Sequence, residues 1–382
     1  MPPALTWHAR GAIILIAIFG FGAVAQAQTV RPEVVVAGLQ NPWALAFLPQ
    51  GRFLVTERPG RMRVVEANGQ PGAPLPGLPA IDAGGQGGLL DVVTDANFAA
   101  NRRLYFCFSE PAASGGGNST ALARATLAPD NSRLEDVQVI FSQKPKFSGS
   151  AHFGCRIVEG GKDGRPDGTL FLTLGDRYSR MQDAQTLGNH HGKVVRIGKD
   201  GSIPKDNPFV GQAGALPEIW SYGHRNMQGA TLAPDGTYWT HEHGPQGGDE
   251  INLPQPGRNY GWPVITYGEN YGGGKIGEGL TAKPGMEQPL HYWAPSIAPS
   301  GMAFLTSDRY GKAWQGNLFV GSLKFAYLNR IELSEPFKGK VVREHKLLDG
   351  GERIRDVRQG PDGLLYVLTD SPRGRLLRVQ PN

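Results

Sequence analysis

The sequence predicts an all-β protein, a six-bladed β-propeller built from four-stranded antiparallel blades. The 54 glycines and 30 prolines together make 84 of the 382 residues. Long helices are therefore disfavoured, because glycine costs backbone entropy and proline lacks an amide hydrogen. Hydrophobic residues still make up 40% of the chain, which is enough apolar surface for a folded core. A short strand-turn-strand unit recurs along the chain, and this repeat indicates a propeller.

The first 27 residues have the parts of an export signal. His8 and Arg10 precede an apolar run at 11–25, and an A-x-A cleavage site ends at residue 27. Fifteen apolar residues are fewer than the roughly 20 that a membrane-spanning helix needs, so a cleaved signal is favoured over an anchor. We expect a mature chain of residues 28–382 that forms a single domain, with no membrane span.

The charge balance and the cysteines exclude several kinds of site. The formal net charge is +5, and a mild excess spread over this length gives no reason to expect a nucleic-acid partner. Cys107 and Cys155 are the only cysteines, too few for a disulfide framework. Separate thiols are favoured over a bridge, although the sequence leaves the pairing open. Neither cysteine has the spacing of a structural zinc site.

The repeat combines an apolar run, a turn built on Asp-Gly or a close variant, and a strand of alternating apolar residues. Dividing the mature chain by six gives units of about 59 residues, the size of a four-stranded blade with some long loops. A β-sandwich or two stacked β-domains are the alternatives, and the regular return of the unit disfavours both. Six copies occur, at 44–57, 91–108 (the weakest), 167–176, 230–244, 316–323 and 358–370.

Polar residues beside these strands are the candidates for a site. His152 precedes one repeat copy and could act as a general base, and Asp176 ends the next strand and could orient it. Taken singly, a packed histidine and a turn-capping aspartate are the commoner explanations. Gln86 lies between two glycine pairs, in a loop that either approaches a ligand or is simply flexible.

Basic and acidic residues suggest two kinds of ligand. Arg225, Lys324, Arg353 and Arg355 lie at or next to predicted strands and could bind a polyanion, although each alone is also explained as solvated charge. The segment 241–262 contains three carboxylates and many glycines, a composition that suits calcium.

These motifs resemble a known family. The strings NPWALAFLP, GGQGGLLDV, HFGCRIV, TLGDR, SYGHRNMQG, EHGPQGGDEIN, GRNYGWPVITYGENY, SGMAF and RIRDVRQGPDGLLYVLTD occur in order between residues 40 and 379. Together they resemble the soluble periplasmic aldose sugar dehydrogenases that depend on pyrroloquinoline quinone (PQQ), which are relatives of soluble glucose dehydrogenase.

The resemblance implies a six-bladed propeller and a role for each matched residue. His152 matches the general base and Asp176 the carboxylate that orients it. Gly244 and Pro245 match carbonyls that bind a catalytic calcium, and Glu250 and Tyr260 match a second, structural calcium site, with Tyr260 contributing its carbonyl. The residues that match cofactor contacts are Gln86, Arg225, Asn226, Tyr271, Lys324, Arg353 and Arg355.

The resemblance also implies a reaction. Aldoses would be oxidised at the anomeric carbon to lactones, by hydride transfer to calcium-bound PQQ while His152 takes the proton, and a cytochrome or a quinone would accept the electrons. The loops are shorter than in the glucose-specialised dimeric members, so we expect a monomer and leave the preferred sugar open. A calcium-dependent lactonase-type hydrolase and a non-catalytic carbohydrate-binding propeller are the alternatives, and the paired Arg353 and Arg355 disfavour the hydrolase.

Overall fold

The structure is a computed structural model that describes Met1, Pro3 and residues 29–382. The predicted export signal at 1–27 lies outside the described residues, apart from those two. Within the described part of the chain, no helix is both long and apolar enough to cross a membrane.

The chain forms six antiparallel sheets of four strands each, the blades of the predicted propeller. Its first strand, β1 (Val30–Leu39), belongs to the last blade. Blade 1 contains β2 (Pro42–Phe47), β3 (Phe53–Glu57), β4 (Arg61–Val65) and β5 (Pro71–Pro74). Blade 2 contains β6 (Leu89–Thr94), β7 (Arg103–Pro111), β8 (Asn118–Leu127) and β9 (Leu134–Ser142). Blade 3 contains β10 (Gly154–Lys162), β11 (Arg165–Leu174), β12 (Lys193–Gly198) and β13 (Ile219–Tyr222).

The second half of the chain repeats this arrangement. Blade 4 contains β14 (Met227–Leu232), β15 (Tyr238–Glu242), β16 (Asp249–Asn252) and β17 (His291–Trp293). Blade 5 contains β18 (Pro299–Phe304), β19 (Leu318–Ser322), β20 (Tyr327–Glu335) and β21 (Lys338–Leu347). Blade 6 contains β22 (Ile354–Gln359), β23 (Leu365–Thr369), β24 (Gly374–Pro381) and β1. The described helices are short: α1 (Phe98–Asn101) and 3-10 turns at Pro49–Gly51 and Met181–Gln185.

The blades form a closed ring. The first strands of neighbouring blades contact each other in the order β2, β6, β10, β14, β18, β22 and back to β2. Strand β1 pairs antiparallel with β24, so that Val30 lies opposite Pro381 and Leu39 opposite Gly374. Residues from the two ends of the described chain thus share one blade, which closes the ring.

The predicted repeat is confirmed, because each of its six copies falls in a different blade, on the first strand, the second strand or both. The Asp-Gly turns are also observed. In the turn between β14 and β15, Gly236 has φ 86° and the carboxylate of Asp235 accepts the Thr237 amide at 2.9 Å. This left-handed conformation favours glycine because a Cβ would be strained there.

The favoured interpretation of the cysteines as separate thiols is wrong. Cys107 on β7 and Cys155 on β10 form a disulfide with Cα atoms 5.9 Å apart. They lie 48 residues apart in sequence, but closure of the ring brings their blades side by side. Composition cannot report this proximity, because it depends on the packing of blade 2 against blade 3.

A buried ion cluster fills the middle of the central channel. Arg156 on β10 contacts Asp91 at 3.3 Å and Asp356 at 2.8 Å, and Arg358 contacts the same two carboxylates at 2.6 and 3.0 Å. On β22, residue 355 lines a cavity at one end of the channel and residue 358 lines a cavity of about 410 Å³ at the other. The cluster therefore separates the two ends.

Candidate functional site

The larger cavity, of about 1240 Å³, occupies one end of the channel. Most of its polar residues lie at the start of the first strand or after the second strand of a blade, and Tyr267, Glu269 and Tyr271 come from the loop between β16 and β17. The start of a first strand and the end of the second meet at the same end of the channel because the two strands are antiparallel. The sequence-predicted residues that line this cavity are Gln86, Asn226, Pro245, Tyr271, Lys324, Arg353 and Arg355.

His152 and Asp176 form a buried pair at the edge of this cavity. The Nδ1 atom of His152 lies 2.6 Å from Oδ1 of Asp176, and the His152 amide donates to Oε1 of Gln86 at 2.9 Å. The second carboxylate oxygen of Asp176 accepts the indole N–H of Trp262 at 2.8 Å. Asp176 therefore fixes the ring orientation of the histidine and favours the tautomer that leaves Nε2 free to accept a proton.

Burial determines the charge of His152. The side chain is 7% exposed, and burial lowers its pKa below the usual 6.5, an effect that Asp176 opposes and that Arg225 and Arg177 reinforce. The imidazole is therefore neutral near pH 7. A neutral imidazole next to a carboxylate is the form in which histidine accepts protons.

The cavity concentrates positive charge. Arg353 donates to Asp370 at 2.8 Å and Arg355 donates to the same oxygen at 3.2 Å. Burial alone would raise the pKa of Asp370, but Arg355 and Arg353 outweigh it and lower the pKa. Lys324 has no carboxylate within ion-pair distance in the described part of the chain. Spare positive charge therefore remains at this end of the channel.

Two guanidinium groups have donors to spare. The Nη1 atom of Arg225 donates to the carbonyls of His243 and Gly244, at 3.0 and 2.7 Å. The Nε atoms of Arg225 and Arg355 are buried without a hydrogen-bond partner among the described residues. Because buried donors are normally satisfied, the Nε atom of Arg355, which lines the large cavity, indicates an acceptor-rich ligand there. Arg225 lines a smaller neighbouring cavity.

A second, much smaller cavity adjoins the first. It has a volume of about 10 Å³, roughly the space of one ion or water. Its lining includes Gly244, Tyr260 and two carboxylates, Glu242 and Glu250. Burial and the charge of Glu242 raise the pKa of Glu250, as expected for a buried carboxylate beside a second one.

The surroundings of this cavity are constrained by close backbone packing. A Cβ on Gly244 would lie 2.2 Å from the carbonyl oxygen of Gly247, so only glycine fits there. The third carboxylate of the segment, Asp249, accepts the Gly244 amide at 2.9 Å and the amides of Ile297 and Ala298. Asp249 therefore fixes the loop that carries Gly244. Its side chain is not part of the small cavity's lining. No group of three or more potential metal-binding His, Cys, Asp or Glu side chains occurs among the described residues.

Some residues of the site have no counterpart among the sequence candidates. Trp262 binds Asp176 from a loop 86 residues away, and nothing in its local sequence indicates that contact. Asp370 directly follows β23, the second strand of its blade, and Asp176 follows β11, the second strand of blade 3, after one intervening residue. The repeat itself could therefore have identified Asp370. Trp43 lines the cavity under the guanidinium of Arg355, which lies 5.9 Å from the ring centre.

Comparison with known proteins gives one family. Residues 39–378 match the model of the family described as glucose/sorbosone dehydrogenase. The aldose sugar dehydrogenase YliI of Escherichia coli K12 is 47% identical over 357 residues, covering 92% of this chain and 93% of that protein.

Solved structures agree. The apo form of the soluble aldose sugar dehydrogenase of Escherichia coli superposes with a TM-score of 0.86 at 46% identity, covering 93% of this chain and all of that one. The PQQ-bound aldose sugar dehydrogenase of Streptomyces coelicolor gives 0.72 at 27% identity, covering 92% of this chain and 98% of that one. The resemblance inferred from the motifs is confirmed: the chain belongs to the glucose/sorbosone dehydrogenase family and is an oxidoreductase.

Proposed function

We propose that this protein oxidises the anomeric carbon of aldose sugars to lactones with PQQ as its cofactor and His152 as the general base. The observation that carries the proposal is the buried His152–Asp176 pair, at 2.6 Å, beside a cavity lined by basic residues. The names of the relatives support the substrate class, and the PQQ-bound relative supports the cofactor.

The residues of the cavity fit PQQ. A planar quinone with three carboxylates needs cationic and N–H donors, and Lys324, Arg353 and Arg355 of the cavity supply them, including the unpartnered Nε of Arg355. Arg225, in the adjoining small cavity, would add its own unpartnered Nε. The amides of Gln86 and Asn226, and Tyr271 at the rim, complete the proposed contacts. When bound, PQQ would supply an ortho-quinone that accepts a hydride, that is, one proton and two electrons.

The chain's own contribution is proton transfer. His152 is neutral because burial lowers its pKa, and Asp176 keeps the proton on Nδ1. Nε2 can therefore take the proton of the sugar's anomeric hydroxyl, and Asp176 stabilises the imidazolium that results.

Two calcium ions belong to the proposal. The carbonyls of Gly244 and Pro245 would hold the catalytic ion, and Glu250 with the Tyr260 carbonyl would hold the structural one. The small cavity supports a cation at Glu250, because this buried carboxylate lies beside Glu242 and its side chain accepts only the Asn252 amide among the described residues. The Gly244 carbonyl accepts the Arg225 guanidinium at 2.7 Å, so a catalytic ion would share this carbonyl with Arg225 or displace it.

We also propose export to the periplasm with cleavage before Gln28, and a monomer that passes electrons to a cytochrome or a quinone. The disulfide supports an oxidising compartment. Mass spectrometry of the protein from a periplasmic fraction tests the cleavage, and a mass that retains residues 1–27 would contradict it.

The activity is tested with purified mature protein, calcium, PQQ, an aldose and an electron-accepting dye. We expect dye reduction that requires the sugar, PQQ and calcium together. His152→Ala should lose about 10²- to 10⁴-fold in kcat and still bind PQQ. His345→Ala, on the outer strand β21, should match the wild type. Sugar oxidation without PQQ, or full activity in His152→Ala, would refute the proposal.

Calcium binding has its own readout. Calcium should raise the Tm of the wild type, because a ligand that binds only the folded state stabilises it. Glu250→Gln should weaken that rise, and an unchanged calcium response would contradict the second site.

A further inference from the structure

Tyr178 is exposed beside the general base. Its side chain is 54% exposed, and its ring lies edge-to-face against the imidazole of His152, with ring centres 5.2 Å apart. Large exposed aromatic side chains are few in the described part of the chain, and all four lie at this end of the channel. Tyr271 lines the cavity, Tyr292 stacks on the cavity-lining Tyr267, and Phe325 follows Lys324.

The backbone holds this ring in place. Arg177 and Tyr178 have φ values of 61° and 63°, a left-handed conformation that bulky residues rarely adopt and that concentrates at functional sites. The Tyr178 amide donates to Oδ1 of Asp176 at 2.8 Å, the oxygen that also faces His152. The loop that carries the ring is therefore tied to the carboxylate that orients the base.

The preceding residue, Arg177, anchors the same loop through its buried side chain. The guanidinium of Arg177 lies 3.7 Å from the ring centre of Phe153 and donates to Asn118 and to the Gly149 carbonyl, both at 2.6 Å. Arg177 is 2% exposed, so its position is fixed by packing. Asp176 and Arg177 are thus buried and bonded, and Tyr178 is the first residue of this turn to reach the solvent, followed by the exposed Ser179 and Arg180.

We propose that Tyr178 is a sugar-contacting residue, whose exposed ring packs against the C–H face of the aldose while the anomeric hydroxyl approaches Nε2 of His152. This inference rests on the proposed function. Pyranose rings have an apolar face of C–H groups, and an aromatic ring with one free face is the side chain that binds it without competing for hydroxyl hydrogen bonds. The phenolic hydroxyl has no hydrogen-bond partner among the described residues, so the ring is the part that matters.

The test compares Tyr178→Ala with Tyr178→Phe in the PQQ- and calcium-loaded enzyme, with D-glucose and D-galactose as substrates. We expect Tyr178→Ala to raise KM by about tenfold or more, as for the loss of an apolar contact in a pocket, with kcat and the PQQ titration midpoint little changed. Tyr178→Phe should restore KM to within about twofold. Val342→Ala, with similar exposure (58%) on β21, is the matched control and should leave KM unchanged.

A second readout does not depend on turnover. In saturation-transfer NMR with D-glucose, irradiating the protein's aromatic protons should transfer magnetisation to the sugar protons, and Tyr178→Ala should reduce that transfer. Unchanged transfer, or a KM within about twofold of the wild type, would overturn the inference. An altered acid limb of the kcat profile at constant KM would also overturn it, since the ring would then only shield His152. If the wild type oxidises no aldose, the proposed function fails and the NMR result alone decides the role of Tyr178.

Discussion

The sharpest prediction concerns Asp176→Asn. The Asp176 carboxylate contacts three N–H donors: His152 Nδ1, the Tyr178 amide and the Trp262 indole. An asparagine has only one acceptor oxygen, so its NH₂ group must face one of these donors. Facing Trp262 leaves an unpaired indole N–H. Facing His152 leaves the Tyr178 amide unpaired, since it shares that oxygen, and also moves the imidazole proton to Nε2, which removes the base.

The expected loss follows from that geometry. In either arrangement the neutral amide no longer stabilises the imidazolium, and the second arrangement also removes the reactive tautomer. We therefore expect kcat to fall about 10²- to 10⁴-fold, the typical value of general-base catalysis. At about 1.4 kcal/mol per tenfold change, this corresponds to about 3–5 kcal/mol. The assay is dye reduction at saturating sugar, PQQ and calcium, with the PQQ titration midpoint as the measure of an intact cavity.

A second substitution isolates the cause. Trp262→Phe removes one donor and leaves the His152–Asp176 contact, so alone it should cost about tenfold or less. In the Asp176→Asn/Trp262→Phe double variant, the amide NH₂ can face the new apolar ring and its oxygen can face His152. Asp176→Asn should therefore cost less in this background. Retention of more than half of the wild-type kcat in Asp176→Asn, or an equal loss in both backgrounds, would refute the reasoning.

Four further outcomes are expected. Alanine at both Cys107 and Cys155 should lower the free energy of unfolding by about 4 kcal/mol, from the 48-residue separation, as measured by urea denaturation against the oxidised wild type. Asp91→Ala should cost about 3–5 kcal/mol in the same assay, because it leaves buried guanidinium groups underpaired. Burial lowers the pKa of Lys193 from 10.5 to about 7. The unfolded chain therefore holds the extra proton, so stability should rise between pH 7 and 9, and Lys193→Met should flatten that rise. Because protonation blocks His152, whose pKa is lowered below 6.5, kcat should fall only as the pH drops below that value, and an acid limb above pH 7 would contradict the burial effect.

The sequence predicted the architecture because a propeller repeats its local rules. Every blade reuses the same turn and the same alternation, so six weak signals add up to one strong one. The bridge between Cys107 and Cys155 escaped prediction for the opposite reason. It depends on how two blades pack, and no repeated local signal reports that.

The residues of the candidate site also differ in how far the local sequence predicts them. Residues at strand ends, such as His152, Asp176 and Arg355, could be predicted, because the start of each first strand and the end of each second strand share one end of the channel. Trp262 and Tyr178 lie in irregular loops, where the local sequence does not determine direction. Asp370 occupies the same kind of position at the end of a second strand and could have been predicted. Its role as the counter-charge of Arg353 and Arg355 became visible only in the structure.

Asp370 changes how the basic cluster should be understood. Arg353 and Arg355 already share its carboxylate, at 2.8 and 3.2 Å. The binding free energy of an anionic ligand therefore reflects only the difference between its contacts with the arginines and the Asp370 contacts that it replaces. Without Asp370, two guanidinium groups would face each other uncompensated in a half-buried cavity, at a cost in folding stability. The carboxylate thus keeps the ligand-free protein stable, and the unpartnered Nε of Arg355 and the free ammonium of Lys324 provide the net attraction. The donors that Asp370 does not pair are therefore the part of the site that is ready for a ligand. Cofactor affinity should depend on these unpaired donors more closely than on the total number of positive charges.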